Sequence, residues 1–174
     1  MTTRHTETQL PFNVRAHTVW GEKVGQDEIN FSWPPQEVMQ NWESDVSMKS
    51  VEFATCQQSG VGLAFVKCTM SNGEESPMIG SDNHTPHNNK VFNFDEMRPV
   101  RAVQARDSNC IHRLTFIDGD DNEIDAFNPS YRKHARMGQQ HQLADNEELI
   151  GFYGVKGKSP NWFTSFGFLI KTKQ

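Results

Sequence analysis

Three stretches of this chain carry the same spacing of apolar residues, and that recurrence limits the fold more than any other feature. Leu143, Leu149, Phe152, Phe166 and Phe168 are separated by 6, 3, 14 and 2 residues. Phe94, Val100, Val103, Leu114 and Phe116 give 6, 3, 11 and 2. Trp42, Met48, Val51, Leu63 and Phe65 give 6, 3, 12 and 2. Only the third interval varies, as it would among copies of one unit with different loops. Each copy closes on an apolar-x-Phe pair, in GLAFV (62–66), RLTFI (113–117) and SFGFL (165–169). The repeat is about 51 residues long, and a unit of this kind cannot bury its apolar face alone.

The texture inside each unit is β. Alternating Val, Phe, Ile and Thr is interrupted by SNG (71–73), DGDDN (118–122) and GKSPN (157–161), which are hairpin and loop sequences. Three such sheets arranged as a triangular prism bury all three apolar faces against one another. The expected fold is therefore all-β: three antiparallel, Greek-key-like sheets with pseudo-three-fold symmetry. Units fall at about 42–90, 91–140 and 141–174. The apolar run NWFTSFGFLI (161–170) is then the last inward-facing strand, with Phe166 and Phe168 in the core.

Residues 1–41 read as an N-terminal extension to a domain over 42–174. EINFSW (28–33) alternates like a strand, and Pro34 and Pro35 break it. Val38, Met39 and Trp42 then follow at helical spacing, enough for one short helix.

Composition removes several function classes. The 174 residues carry a net charge of −5, so nothing draws the chain to nucleic acid or anionic lipid. The one basic run, Tyr131–Arg136, reads as a solvated loop. No apolar stretch approaches the roughly 18 residues of a membrane span, and the first residues lack the apolar core of a signal peptide. Three cysteines, Cys56, Cys68 and Cys110, cannot all pair within one chain. Together these favour an intracellular, cytoplasmic setting with free thiols inside strands.

No catalytic signature is present. There is no G-x-S-x-G, H-E-x-x-H, phosphate-cradling loop or C-x-x-C. Cys110 and His112 share a strand face without forming a dyad. Asp118, Asp120 and Asn122 open like a calcium loop, but Glu123 stands where Gly is needed and Pro129 where Glu is needed, so a hairpin turn is expected. His84 and His87 lack a third ligand nearby. The chain is read as neither an enzyme nor a cofactor or metal protein.

The last unit, NEELIGFYGVKGKSPNWFTSFGFLIK (146–171), resembles the final unit of the jacalin-related lectins. That unit has an acidic turn, I-x-G-apolar-x-G, a loop, and an apolar-x-S-apolar-x-F strand. The middle unit, VRAVQARDSNCIHRLTFIDGDDNEI (100–124), resembles the family as well. The resemblance implies the β-prism I fold and a non-catalytic sugar-binding module. It also implies a site at one end of the prism, built from a Gly-rich loop near the N-terminus and a Gly-x-x-x-Asp loop before the last strand.

Carried over by position, the first loop is WGEKVG (20–25), with Gly21 and Gly25 but no Gly–Gly pair. The second runs from Gly154 and Gly157 through Asn161, Trp162, Phe163 and Thr164. The family's Asp falls at Thr164, so the bidentate acceptor of sugar hydroxyls is missing, and Pro160 removes a backbone donor. Asn161 can donate and accept, and Trp162 can stack on a sugar ring. Equally, Trp162 can anchor the loop on the core.

Two readings stay open at this point. One is a lectin-like module with a carbohydrate ligand. The other is an intracellular structural or scaffolding subunit that docks protein partners, or further copies of itself, through Trp20, Phe31, Trp33 and Met39 in the N-terminal segment.

Overall fold

The computed structural model describes residues 13–17, 19–22, 28–35, 46–56, 62–80, 85–96, 99–107, 110–128, 136–156 and 162–173. Fourteen strands follow one another: β1 (Val14–Ala16), β2 (Trp20–Gly21), β3 (Phe31–Trp33), β4 (Met48–Cys56), β5 (Phe65–Met70), β6 (Ile79–Gly80), β7 (Pro86–Asn93), β8 (Val100–Asp107), β9 (Ile111–Asp118), β10 (Glu123–Phe127), β11 (Arg136–Met137), β12 (His141–Gln142), β13 (Glu147–Lys156) and β14 (Phe163–Thr172). A 3-10 turn, Phe94–Glu96, follows β7.

They form three antiparallel sheets. The first has the order β6-β5-β4-β7. The second has β10-β9-β8, with β11 and β12 both along the free side of β8. The third has β1-β14-β13-β3, with β2 also on β14. The all-β, three-sheet prism expected from the repeat is the fold observed.

The repeat is visible in the register. Each central hairpin carries the same bulge near the same end. Pairing slips between Met48↔Met70 and Ser50↔Thr69, between Val100↔Asp118 and Ala102↔Ile117, and between Leu149↔Ile170 and Gly151↔Leu169. The next inward pairs are Val51↔Cys68, Val103↔Phe116 and Phe152↔Phe168. A bulge bends and twists a strand, and three of them at one level curve the three sheets alike.

This register corrects the first copy of the repeat. The counterparts of Leu114/Phe116 and Phe166/Phe168 are Val66 and Cys68, not Leu63 and Phe65. Phe65 lies opposite Ala54, one residue out of phase with the core pair Phe53↔Val66. A slip of one residue flips the face, and Phe65 packs with Ala54, Cys56 and Ala64 under Trp162 in a satellite cluster. The apolar-x-Phe spacing recurs in GLAFV, but it serves a different face.

The main core lies on the prism axis. Phe53 of the first sheet meets Phe166 of the third at 6.2 Å, edge to face. Phe116 of the second meets Phe168 at 5.7 Å. Edge-to-face rings add to the burial of their own apolar area.

The N-terminal segment is not an appendage. β1 pairs with residues 169–171, β2 with 165–166 and β3 with 152–154. The boundary expected at residue 42 therefore cuts through the third sheet. The last hairpin would otherwise leave both outer edges unpaired, and the N-terminal strands cover them. The strand expected in 28–33 is β3. The short helix around Val38, Met39 and Trp42 falls outside the described residues, as does most of the basic run 131–136.

Candidate functional site

The hairpins β4–β5, β8–β9 and β13–β14 all turn at one end of the prism. Their bases are laced together there. The Leu63 N–H donates to the Ile111 carbonyl at 2.8 Å, and the Phe163 N–H donates to the Leu63 carbonyl at 2.8 Å. Glu22, after β2, and Asn30, before β3, lie at the same end, because β2 and β3 flank the tips of β14 and β13.

Here the two stretches singled out for sugar binding come together. Gly21 lies opposite Ser165 across the sheet. The Glu22 N–H donates to the Thr164 carbonyl at 2.9 Å, and the Ser165 hydroxyl donates to the Glu22 carbonyl at 2.6 Å. Gly21 turns the chain at a φ of +93°, and a Cβ there would sit 2.2 Å from the Thr164 carbonyl oxygen. Only glycine allows both the turn and the approach.

Asp107, at the end of β8, fixes this turn from the second sheet. It is 1% exposed, and its Oδ2 accepts the Gly21 N–H at 2.5 Å. Asn30 braces the other side. Its side chain accepts the Lys156 N–H at 2.8 Å and donates to the Lys156 carbonyl at 2.8 Å. The Thr164 hydroxyl points to the Val155 carbonyl at 3.5 Å. Glu22 is exposed at the rim.

Several expected roles change. The Gly21 N–H is engaged by Asp107 and is not open to a ligand. Gly154 is buried inside β13, where its carbonyl accepts the Asn30 N–H and the Ser165 carbonyl, with Phe31 behind it, leaves no room for a Cβ. Phe163 is buried in the core and stacks on Phe31 at 4.7 Å. Trp162 is half-buried against the satellite cluster, which is the anchoring role rather than an open stacking platform. Among the described residues its indole N–H has no hydrogen-bond partner. Gly157 and Asn161 lie outside the described residues. Thr164 is half-buried at the junction.

The docking residues proposed for the N-terminal segment are inside the fold. Trp20 is 3% exposed, and its indole N–H donates to the Gln139 carbonyl at 2.8 Å. Phe31 and Trp33 pack on the main core. They are consumed by the sheet they complete. Met39 lies outside the described residues.

The remaining constellations are structural. Asp118 Oδ1 accepts the N–H groups of Asp120 and Asn122 at 2.8 and 3.0 Å, closing the hairpin turn expected there. Cys56 and Cys68 lie on strands, but Cys110 sits in the bend before β9, and its sulfur is 3.5 Å from His112 Nε2. The pair is in contact, contrary to the sequence reading, yet the thiol is buried and unreachable for substrate. Burial pushes the Cys68 thiol up to about 12. No cluster of three metal-ligating groups exists among the described residues.

Glu22, Asn30, Asp107 and Lys156 were not found from sequence. Two of them had a signal: Asp107 and Lys156 stand at matching places in the second and third units, four residues past Val103 and Phe152. The repeat alone therefore puts both at one end of the prism. Glu22 and Asn30 belong to no repeat, and nothing local marks them.

Solved structures with this architecture include jacalin-related lectins, and the chain has the β-prism fold that they share. A mannose-binding jacalin-related lectin from Ananas comosus superposes over 92% of this chain and 99% of its own, with a TM-score of 0.57 at 12% identity. The Calystegia sepium agglutinin covers 95% and 100%, with a TM-score of 0.61 at 14% identity. A prostate-specific glycoprotein lectin, WGA16, covers 88% and 99%, with a TM-score of 0.58 at 13% identity. No protein-family model matches the chain, and no curated protein matches it by sequence.

Proposed function

We propose that this protein is a non-catalytic carbohydrate-binding module. Its site lies at the end of the prism bounded by Gly21–Glu22, Asn30, Lys156 and Trp162–Thr164. The observation that carries the reading is the junction of the two loops, where the Glu22 N–H meets the Thr164 carbonyl. Loops about 140 residues apart in sequence form one rim. The fold's company supports the ligand class: the Ananas protein is described as mannose-binding, and the Calystegia lectin occurs in complex with a biantennary N-glycan.

The missing carboxylate at Thr164 has a substitute in Glu22. Its backbone is bonded to Thr164, its side chain is exposed, and a carboxylate accepts two sugar hydroxyls where a threonine hydroxyl cannot. The Lys156 side chain is a further polar group at the same rim. The burial of Trp20 and the packing of Phe31 and Trp33 remove the basis for a docking arm.

The test is a glycan array on the full chain, followed by titration calorimetry with mannose and with a biantennary N-glycan. Monosaccharide affinity of about 1 mM is expected, with tighter binding to branched glycans. Glu22→Ala should abolish binding at unchanged thermal stability. An array blank for a folded protein, or full affinity in Glu22→Ala, would refute the site as drawn.

A further inference from the structure

We propose that Asn72–Gly73 is a site of spontaneous covalent modification, at which Asn72 loses ammonia and becomes an aspartyl or isoaspartyl residue. It is the chain's one Asn–Gly pair. The pair lies in the turn that follows β5, beyond the Met48↔Met70 pair and so at the end of the prism away from the candidate rim. The proposal is independent of the carbohydrate reading.

The turn has the pattern of a three-residue hairpin loop. The Gly73 N–H donates to the Met70 carbonyl at 2.9 Å, and the Met70 N–H donates to the Glu74 carbonyl at 2.8 Å. Gly73 has a φ of +89°, the left-handed conformation that ends such a loop. The turn is also tied to the chain entering β4. The Ser71 N–H donates to the Ser47 carbonyl at 2.8 Å, and the Ser71 hydroxyl accepts the Ser47 N–H at 3.1 Å. Asn72, Gly73 and Glu74 are all exposed.

Two features direct reaction to this peptide. Asn72 Oδ1 accepts the Glu74 N–H at 3.0 Å, which folds the side-chain amide back over the Gly73 peptide. That oxygen takes the negative charge of the tetrahedral intermediate, and a backbone N–H is already aimed at it. Gly73 has no side chain, and nothing lies within 4 Å of the place a Cβ would take, so its nitrogen is unhindered. One feature opposes them. The Gly73 N–H bond to Met70 must open before that nitrogen attacks, and a neutral bond in water lowers the reactive fraction by about fivefold.

The atoms balance. The Gly73 nitrogen attacks Asn72 Cγ, the Cγ–Nδ2 bond breaks, and ammonia leaves with the Gly73 amide proton. The five-membered imide then takes up water. Opening at the side-chain carbonyl gives Asp. Opening at the main-chain carbonyl gives the isoaspartyl residue, whose main chain runs through Cβ. Nothing is oxidised or reduced. Either product adds one negative charge to the net −5. The isoaspartyl product also lengthens the main chain between Ser71 and Gly73, which loosens the tie to Ser47.

The test is peptide mapping by mass spectrometry on the full chain, folded and in urea. Samples are held at about 37 °C at about pH 6 and about pH 8, because the rate rises as the Gly73 amide ionises. Electron-transfer fragmentation locates the change and distinguishes isoaspartyl from Asp. Residue 72 should gain the mass of an amide turned acid, faster at the higher pH and with isoaspartyl the larger product. The folded chain should react within about tenfold of the unfolded one, as a single surface bond requires. Asn72→Gln, whose longer side chain closes the ring poorly, should stay intact. A folded chain slowed by more than that factor would overturn the proposal, as would a rate independent of pH or a mass gain at position 72 of the variant equal to wild type. Should Asn72→Gln not fold, the comparison of folded and unfolded wild type decides.

Discussion

Gly21→Ala tests the junction on which the candidate site depends. The Gly21 φ of +93° lies where a Cβ is disfavoured by about 1–2 kcal/mol. The added carbon would also stand 2.2 Å from the Thr164 carbonyl oxygen, a backbone atom that cannot rotate away. Relief requires β2 to lift off β14. That strains the Glu22 N–H bond to Thr164 and the Gly21 N–H bond to Asp107. A neutral bond contributes about 1 kcal/mol and one to a carboxylate about 1.5–3 kcal/mol. With both bonds partly lost, the expected destabilisation is about 3–5 kcal/mol. For a chain of this size that lowers the melting temperature by about 6–20 °C. Gly73→Ala supplies the control: Gly73 has a φ of +89° but nothing within 4 Å of its virtual Cβ. It should cost about 1–2 kcal/mol, from backbone strain alone. Differential scanning fluorimetry on both variants separates the two contributions. If Gly21→Ala melts no lower than Gly73→Ala, the close approach of β2 to β14 is not a constraint and the rim is not held as described.

Three further outcomes follow from the same geometry. Phe168→Ala removes a fully buried ring in contact with Phe116, Phe166 and Trp20, and urea unfolding should show a loss of about 3–5 kcal/mol. Cys68, its thiol pushed up to about 12 chiefly by burial, should resist iodoacetamide at pH 8 in the native protein and react once urea unfolds it. Glu147 is held below the usual carboxylate range, first by its hydrogen bond from Arg15. A lowered native pKa stabilises above the unfolded value of about 4.3 and is lost as pH falls through the native one. Glu147→Gln should therefore loosen β1 at neutral pH, seen as faster amide exchange at 14–16, with the difference from wild type fading as pH falls below the usual carboxylate range.

Much of the architecture could be read because it repeats. Val103 and Phe116, or Phe152 and Phe168, announce an inward face by spacing alone, and their recurrence implies three sheets and a shared core. The first unit shows where such reading stops. GLAFV has the right pattern at the wrong register, because Phe65 buries its ring on a second, smaller cluster that only Trp162 and the end of β4 create. The site was legible as two loop stretches and no further. The structure brings Gly21 beside Thr164, as a shared site requires, but Gly154 and Phe163, expected as ligand groups, are buried in the packing.

The sequence by itself determined the β texture, the three-fold repeat and the inward aromatic ladder, since these follow from side-chain alternation within a few residues. Tertiary structure alone decided that β1, β2 and β3 seal the edges of the final hairpin and that Asp107 grips Gly21. It also decided that His17 lies face to face with His141. Those pairings join residues 86 to 157 positions apart, or cross from one sheet to another. Local pattern carries no information about which distant edge remains open, and an open strand edge takes the partner that chain closure delivers to it.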